Sequence, residues 1–428
     1  MQGRVRSPRL IPINFVLINL VFFLAPALRA NAQGPHPMDA ARTFAKTCQQ
    51  YGRDRKPHGP HGNPFDEMSV LVTGGVGQSD VDLSSAEIYD ANTGSFTATA
   101  NMSVERDGHT MTPLPNGDIL VAGGIDQNFD GRASAELFIP SKQIFRRTGH
   151  MTTPRVDHTA TLLPDGTVLL AGGTSQTFGR ASGHILASAE IYHPNSGSFV
   201  ATGKMSSPRF DHTATLLPNG LVLIAGGSQL PSGLPGINLN TAEIYNPATG
   251  TFKPTGNMNM ARADATANLL RNGKVLIAGG ADERSAELYD PSTGTFTLTG
   301  SMNFPRVLHT AVPLSDGTIL IADGASESPA LDTAEIYDPA SGTFTLTGTL
   351  NMAPSEETGE LLGNGEALIL DGLSAQLFNP NAGSFTPTGD ITTLRYEPTV
   401  LALGSICNNQ ERLLITTSTS RQTPSNDD

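Results

Sequence analysis

Short apolar runs, each closed by Gly-Gly or Asp-Gly, return along the chain at intervals of 44 to 54 residues. The second glycines are Gly75, Gly124, Gly173, Gly227, Gly280, Gly324 and Gly372. Within one period the polarity pattern changes from segment to segment. In the third repeat, residues 157–163 are small and apolar and predict a first strand, closed by the turn Pro164-Asp165-Gly166. Residues 167–171 predict a second strand ending at Gly172-Gly173. In residues 188–193, Ala189 and Ile191 alternate with Glu190 and Tyr192, the period-two pattern of a third strand. After the turn at 194–197, residues 198–203 form a fourth. The runs at 168–171, 221–225 and 274–278 lack strict alternation, which predicts strands packed on both faces. A period near fifty residues built from strands throughout predicts an all-β fold: a seven-bladed propeller with four antiparallel strands per blade.

The ends of the array carry a second prediction. The first repeat begins at its second strand, 70–73, and has no first strand, whereas the array finishes on a spare first strand at 395–403. The C-terminal strand is therefore expected to complete the first blade. Residues 413–417 read as an extra short strand or the start of an eighth unit. Residues 38–54 read as a helix with Phe44, Cys48 and Tyr51 on one face.

Composition changes this picture in three ways. A length of 428 residues would by itself favour two or three domains, but single blades are too small to bury a core and must close together. The N-terminus places Arg4, Arg6 and Arg9 before an apolar stretch at 10–28 and then Ala30-Asn31-Ala32, the layout of a secretory signal. An uncleaved anchor is the alternative, though Pro12, Asn14, Asn19 and Pro26 interrupt the roughly 20 apolar residues that a span needs. The expected organisation is a signal at 1–32, an extension with a short helix at 33–67, the propeller at 68–417 and a polar tail at 418–428. The product would be a secreted monomer, periplasmic or extracellular, with no membrane span after cleavage. Its net charge of −13 becomes −17 once residues 1–32, with four arginines and no acid, are removed. Such a chain repels phosphate backbones, which excludes nucleic acid as a partner. The two cysteines, Cys48 and Cys407, flank the array; in an exported protein they read as a disulfide across the seam, with two separate buried thiols as the alternative.

The repeats resemble kelch motifs over about 68–403: an apolar strand, Gly-Gly, a tyrosine in the third strand and an aromatic in the fourth. The chain departs from that pattern in having no tryptophan; Phe96, Phe145, Phe199, Phe252, Phe296, Phe344 and Phe385 occupy the fourth-strand position. The resemblance implies a propeller closed by its C-terminal strand, of the bacterial-type secreted kelch kind. It also implies that enzymes are among the relatives, since some kelch-like propellers oxidise or isomerise sugars. Fold carries over from such a likeness far better than function.

Charged residues recur with the repeat. Arg106, Arg155, Arg209, Arg262, Arg306 and Arg395 precede the first strands, and Glu87, Glu136, Glu190, Glu243, Glu287 and Glu335 lie in the third strands. The seventh repeat has Ser355 and Gln376 instead, so both charges are missing together. That coincidence predicts one structural Arg–Glu pair per blade, Arg155 with Glu190, Arg209 with Glu243 and, across the closure, Arg395 with Glu87; an anion-binding arginine ring is the alternative. His109, His158, His212 and His309 follow three residues after their arginines and read as hydrogen-bonding residues, with a metal or channel role as the alternative. Asp157, Asp211, Asp264 and Glu397, two residues after the arginines, are candidates for contacts at the mouth of the channel.

The loops between the second and third strands vary from 174–187 and 228–240 in repeats three and four to Leu373 alone in repeat seven. Specificity is commonly placed on such loops, so the candidate ligand-binding set is Asp157, Arg180, His184, Asp211, Asp264 and Glu397. No nucleophile elbow, HExxH, phosphate loop or characteristic pair of catalytic carboxylates is present. The expectation is therefore a propeller that is not an enzyme, holds no cofactor or metal, and binds a protein or glycan. The alternative is a propeller enzyme acting on a sugar, of isomerase or oxidase type. A copper-radical oxidase would need a cysteine cross-linked to a tyrosine, but both cysteines lie outside the blades and five of the seven tyrosines repeat in the third strand.

Overall fold

A computed structural model describes residues 68–403 apart from 79–80, 129, 176–183, 230–236, 281–283, 325–331 and 351–357. The leader, the helix at 38–54, Cys48, Cys407, Arg180, Ser355 and the strand at 413–417 lie outside the described residues. Seven four-stranded antiparallel sheets form the body, with one two-stranded hairpin, Ser228–Gln229 with Ile237–Asn238, in a loop of the fourth blade. Blade three shows the plan: Thr159–Leu162, Val168–Ala171, Ala189–His193 and Ser198–Ala201, each paired with the next.

Local chemistry sets each corner. At the first turn the Gly166 N–H donates to Leu163 O at 2.9 Å, the Leu163 N–H donates to Thr167 O at 2.8 Å, and Asp165 accepts from the Thr167 N–H. Asp accepting from a backbone N–H two residues on is what makes Pro-Asp-Gly a tight turn. The second strands are wholly buried, as in Val168–Ala171, which explains their unbroken apolarity. The core is a circle of interfaces: Leu120, Ala122 and Leu137 of one blade pack on Val168, Leu170 and Tyr192 of the next. Two aromatics of the outer strands stack at a tilt in every blade, Phe138 on Phe145 and Phe378 on Phe385 in blades two and seven and a tyrosine on a phenylalanine in the other five, as Tyr192 does on Phe199 with centroids 4.8 Å apart.

Blades are tied at both ends of the interface. Near the axis, Gly75, Gly124, Gly173, Gly227 and Gly280 donate N–H to the carbonyls of Arg106, Arg155, Arg209, Arg262 and Arg306 in the following blade. At the rim, the hydroxyls of Tyr89, Tyr192, Tyr245, Tyr289 and Tyr337 bond threonines of the preceding blade at 2.8 to 3.0 Å. The ring closes where Thr399–Ala402 adds to Ser69–Thr73, in the register Val70↔Ala402, Leu71↔Leu401, Val72↔Val400 and Thr73↔Thr399. The seven innermost strands touch in a complete circuit. Among the described residues no helix is long and apolar enough to cross a membrane.

Candidate functional site at the mouth of the ring

The repeated arginines are fully buried, and the terminal nitrogens of each are held by carbonyls, a hydroxyl and a carboxylate, while Nε of Arg106, Arg155, Arg209 and Arg395 has no hydrogen-bond partner. Arg155 donates to the carbonyls of Gly172 and Ser188, to the Ser188 hydroxyl, and to Glu190 at 3.1 Å. Arg209 meets Glu243 at 3.3 Å, and Arg395 meets Glu87 at 2.8 Å across the closure. The carboxylates are bound from a second side as well: Glu190 accepts the N–H of Thr152 and Thr153, and Glu87 accepts from Thr392 and Thr393. Burial acts to raise the Glu87 carboxyl, but the bonds from Thr392 and Arg395 outweigh it and hold it low.

The histidines are equally committed. Nε2 of His109, His158, His212 and His309 meets a threonine hydroxyl of the preceding blade at 2.8 to 3.1 Å. Burial, and then the adjacent arginine, push all four imidazoles down to about 3, so they are neutral. They occupy four separate interfaces. Among the described residues no three His, Cys, Asp or Glu side chains converge as a metal-binding set.

Asp157, Asp211, Asp264 and Glu397 hold φ of 54°, 50°, 55° and 52°, and Leu308 and Gly108 take the same left-handed conformation at the equivalent position. The strain there is roughly 1–2 kcal/mol for a residue with a Cβ, least for Asp, and only the surrounding ring keeps it. Neighbouring members touch: the Asp264 N–H donates to Asp211 O at 3.2 Å, and a Cβ on Gly108 would stand 3.0 Å from Asp157 Oδ1. These residues therefore rim the axis on the side of the variable loops. His184 lies apart, exposed on its loop with its N–H bonded to Ser175 Oγ.

One member of this neighbourhood is not legible from charge counting. The position after each arginine holds Val156, Phe210, Ala263, Val307 and Tyr396, yet in blade two it holds Asp107. Asp107 is only 8% exposed, and its Oδ1 has no hydrogen-bond partner. Burial, followed by the charges of Glu397, Asp82 and Asp157, pushes its carboxyl up to about 8. Asp82 is itself buried and is bridged to Val76, which pairs on its other side with Tyr396. The acid thus breaks an apolar column inside the repeat, a signal the sequence carried. Asp82 lies in the variable loop after the second strand, where the equivalent bridged residues are Gly131 and Ile185. Glu360 is a second acid of this kind. It stands on the innermost strand Thr358–Leu361, where the other six blades have Leu401, Thr112, Thr161, Thr215, Asn268 and Val312, and burial raises it to about 7. A shallow cleft lined by Leu163, Asp165, His193, Tyr245 and Pro247 lies on the opposite side, among the uniform turns, away from these acids.

With this architecture the chain is a seven-bladed β-propeller. It is similar to the solved structure of a fungal alcohol oxidase, described as having catalytic diversity among the AA5 family and in complex with copper. That likeness has a TM-score of 0.57 at 18% identity and covers 72% of this chain and 70% of the oxidase. No protein-family model matches the chain, and no curated protein matches it in sequence. The expectation of a non-enzymatic binder, and with it the view that the chain is not an enzyme, is corrected by this likeness: the same body serves an oxidase, so absent motifs were poor grounds for excluding chemistry.

Copper itself finds no matching donors among the described residues. No three-residue ligand set is present, the five repeated tyrosines are buried in blade interfaces with their hydroxyls on threonines, and both cysteines lie outside the described segment.

Proposed function

We propose that this chain is an enzyme acting on a sugar or related polyol by acid–base chemistry at the mouth of the ring, over the joint of blades one and two. The observation that carries the reading is Asp107: a buried acid, neutral at pH 7, with one free oxygen beside the exposed carboxyl of Glu397. Carboxyl groups whose surroundings differ this much divide naturally into proton donor and proton acceptor. Asp107 would give its proton to the carbonyl oxygen of an open-chain sugar. Glu397 or Asp157 would take one from the neighbouring carbon, and the product is an enediol. Reversal at the other carbon completes an isomerisation. The six caged arginines and the interblade glycine bonds hold these carboxylates rigidly, as catalysis needs. The leader pattern at 1–32 supports export, and the repeats support membership among secreted kelch-type propellers.

The test is deuterium incorporation beside the carbonyl of a panel of reducing sugars in D2O, followed by NMR. Wild type should exchange at least one sugar, and Asp107→Asn should lower the rate by about 10²-fold or more. Hydrogen peroxide release from a copper-supplemented sample, with no exchange, would replace this reading with an oxidase.

A further inference from the structure

The innermost strands finish, on the side of the uniform turns, at one shared register position, the one that Leu162 holds opposite Val168 in blade three. Around the circle this position holds Pro113, Leu162, Leu216, Leu269, Pro313, Leu361 and Ala402. All are apolar. One step nearer the mouth, five of the seven equivalents are polar (Thr112, Thr161, Thr215, Asn268 and Glu360), so apolarity is not a general habit of these strands. Pro313 is exposed, Ala402 is buried, and the other five are half-buried. An innermost strand has a sheet partner on one side and a blade against each face, so its open side looks onto the axis. These residues therefore form an apolar collar at the end of the channel away from the acidic mouth. Apolar surface gathered in one place marks a site of contact.

We propose that residues 38–54 of this chain cover the collar, with Phe44 and Tyr51 packed on its leucines and Pro313, and Cys48 bonded to Cys407 beside it. The inference goes beyond the acid–base reading of the mouth and stands without it. Both ends of the described chain lie at this end of the axis. Leu403 follows Ala402, and its N–H donates to Ser69 O at 2.8 Å, while Met68 O accepts from the Ala91 N–H. Cys407 stands four residues after Leu403, so even a fully extended path keeps it within roughly 14 Å of the collar's edge. Phe44, Cys48 and Tyr51 share one face at helical spacing, an apolar stripe outside every repeat. The stretch from Tyr51 to Met68 reaches roughly 55 Å when extended, enough to return the stripe beneath the axis. A segment tethered to the same chain also has an effective concentration that a second molecule lacks. The bond forms as the two thiols give up two protons and two electrons to a disulfide-exchange oxidant of the export compartment. So covered, the channel opens only at the mouth.

Digestion of the purified protein without reduction, followed by mass spectrometry, should recover a peptide pair joining Cys48 to Cys407. With p-benzoylphenylalanine in place of Phe44, illumination should cross-link position 44 within the same chain to peptides holding Leu162, Leu216, Leu269 or Pro313. The double variant Phe44→Asp, Tyr51→Asp should lose residues 33–67 to limited proteolysis about tenfold or more faster than wild type. Pro313→Glu, at an exposed position that the blades can spare, should speed the same cleavage from the other side of the contact. Free thiols at both cysteines, cross-links confined to other surfaces, or unchanged proteolysis in both variants overturns the proposal. Cross-links between two molecules, with twice the chain mass in solution, overturn it in favour of a second copy on the collar.

Discussion

At the scale of single residues, the informative positions are those where one repeat refuses what the others do. Asp107 is held near 8 by burial and by Glu397, Asp82 and Asp157, above the ordinary Asp value of 3.8. Its folded form binds a proton that the unfolded form releases between those values, so its contribution to stability falls as pH rises through that window. Asp107→Asn should therefore raise the melting temperature at pH 8.5 relative to wild type and leave it nearly unchanged at pH 4, measured by calorimetry in matched buffers. The histidines work in the opposite sense. Burial and the neighbouring arginines lower them from 6.5 to about 3, so stability present above pH 6.5 is lost as pH falls towards 3. Urea midpoints at pH 7 and pH 4.5 should show that loss, and His212→Gln should reduce the difference between the two.

At the scale of elements, Gly74, Gly123, Gly172 and Gly279 at the ends of second strands each face the histidine of the next blade, while Gly226 is kept opposite Ala265. A Cβ on Gly172, whose φ is 65°, would stand 2.6 Å from Arg209 O and 2.7 Å from His212 Cε1. In blades six and seven the equivalent residues are Asp323 and Asp371, and the positions facing them hold Thr358 and Pro398 in place of histidine. Side chain and space are exchanged together, as close packing demands. Gly172→Ala should destabilise by about 2 kcal/mol or more, from backbone strain plus overpacking, read as a lowered urea midpoint at constant slope. The same correlation accounts for what was legible at this scale. Glycine pairs, tight turns and apolar runs are local demands written into each repeat. The meeting of Asp82 with Asp107 is not, because the loop after the second strand varies in length and sequence from repeat to repeat, with Gly131 and Ile185 at the equivalent bridges.

At the scale of the whole molecule, one blade differs from the other six in being built from strands at opposite ends of the described chain. Arg395 and Glu87 lie 2.8 Å apart within that blade, with Thr392 and Thr393 donating to the same carboxylate. Breaking a buried pair by removing one partner typically costs about 3–5 kcal/mol. In blade four, Glu243→Ala should cost a comparable amount without freeing any strand. Glu87→Ala should in addition loosen Thr399–Ala402 from Ser69–Thr73. Hydrogen exchange at Val70–Thr73 should then speed up in Glu87→Ala and not in Glu243→Ala; equal protection in the two variants would mean that strand pairing alone holds the closure.

The sequence by itself determined the ring: its period, its seven units, the face of each strand and the spare strand that completes the first blade. Each of these follows from short-range constraints repeated along the chain, such as left-handed glycines, turn carboxylates and unbroken apolar runs. Only the tertiary structure decided which charges are spent and which remain available. Whether an arginine is caged or a carboxyl is left neutral depends on groups brought together from different blades, as Glu397 and Asp107 are from nearly three hundred residues apart. Proximity of that kind is created by closing the circle, and so it has no local signature to read.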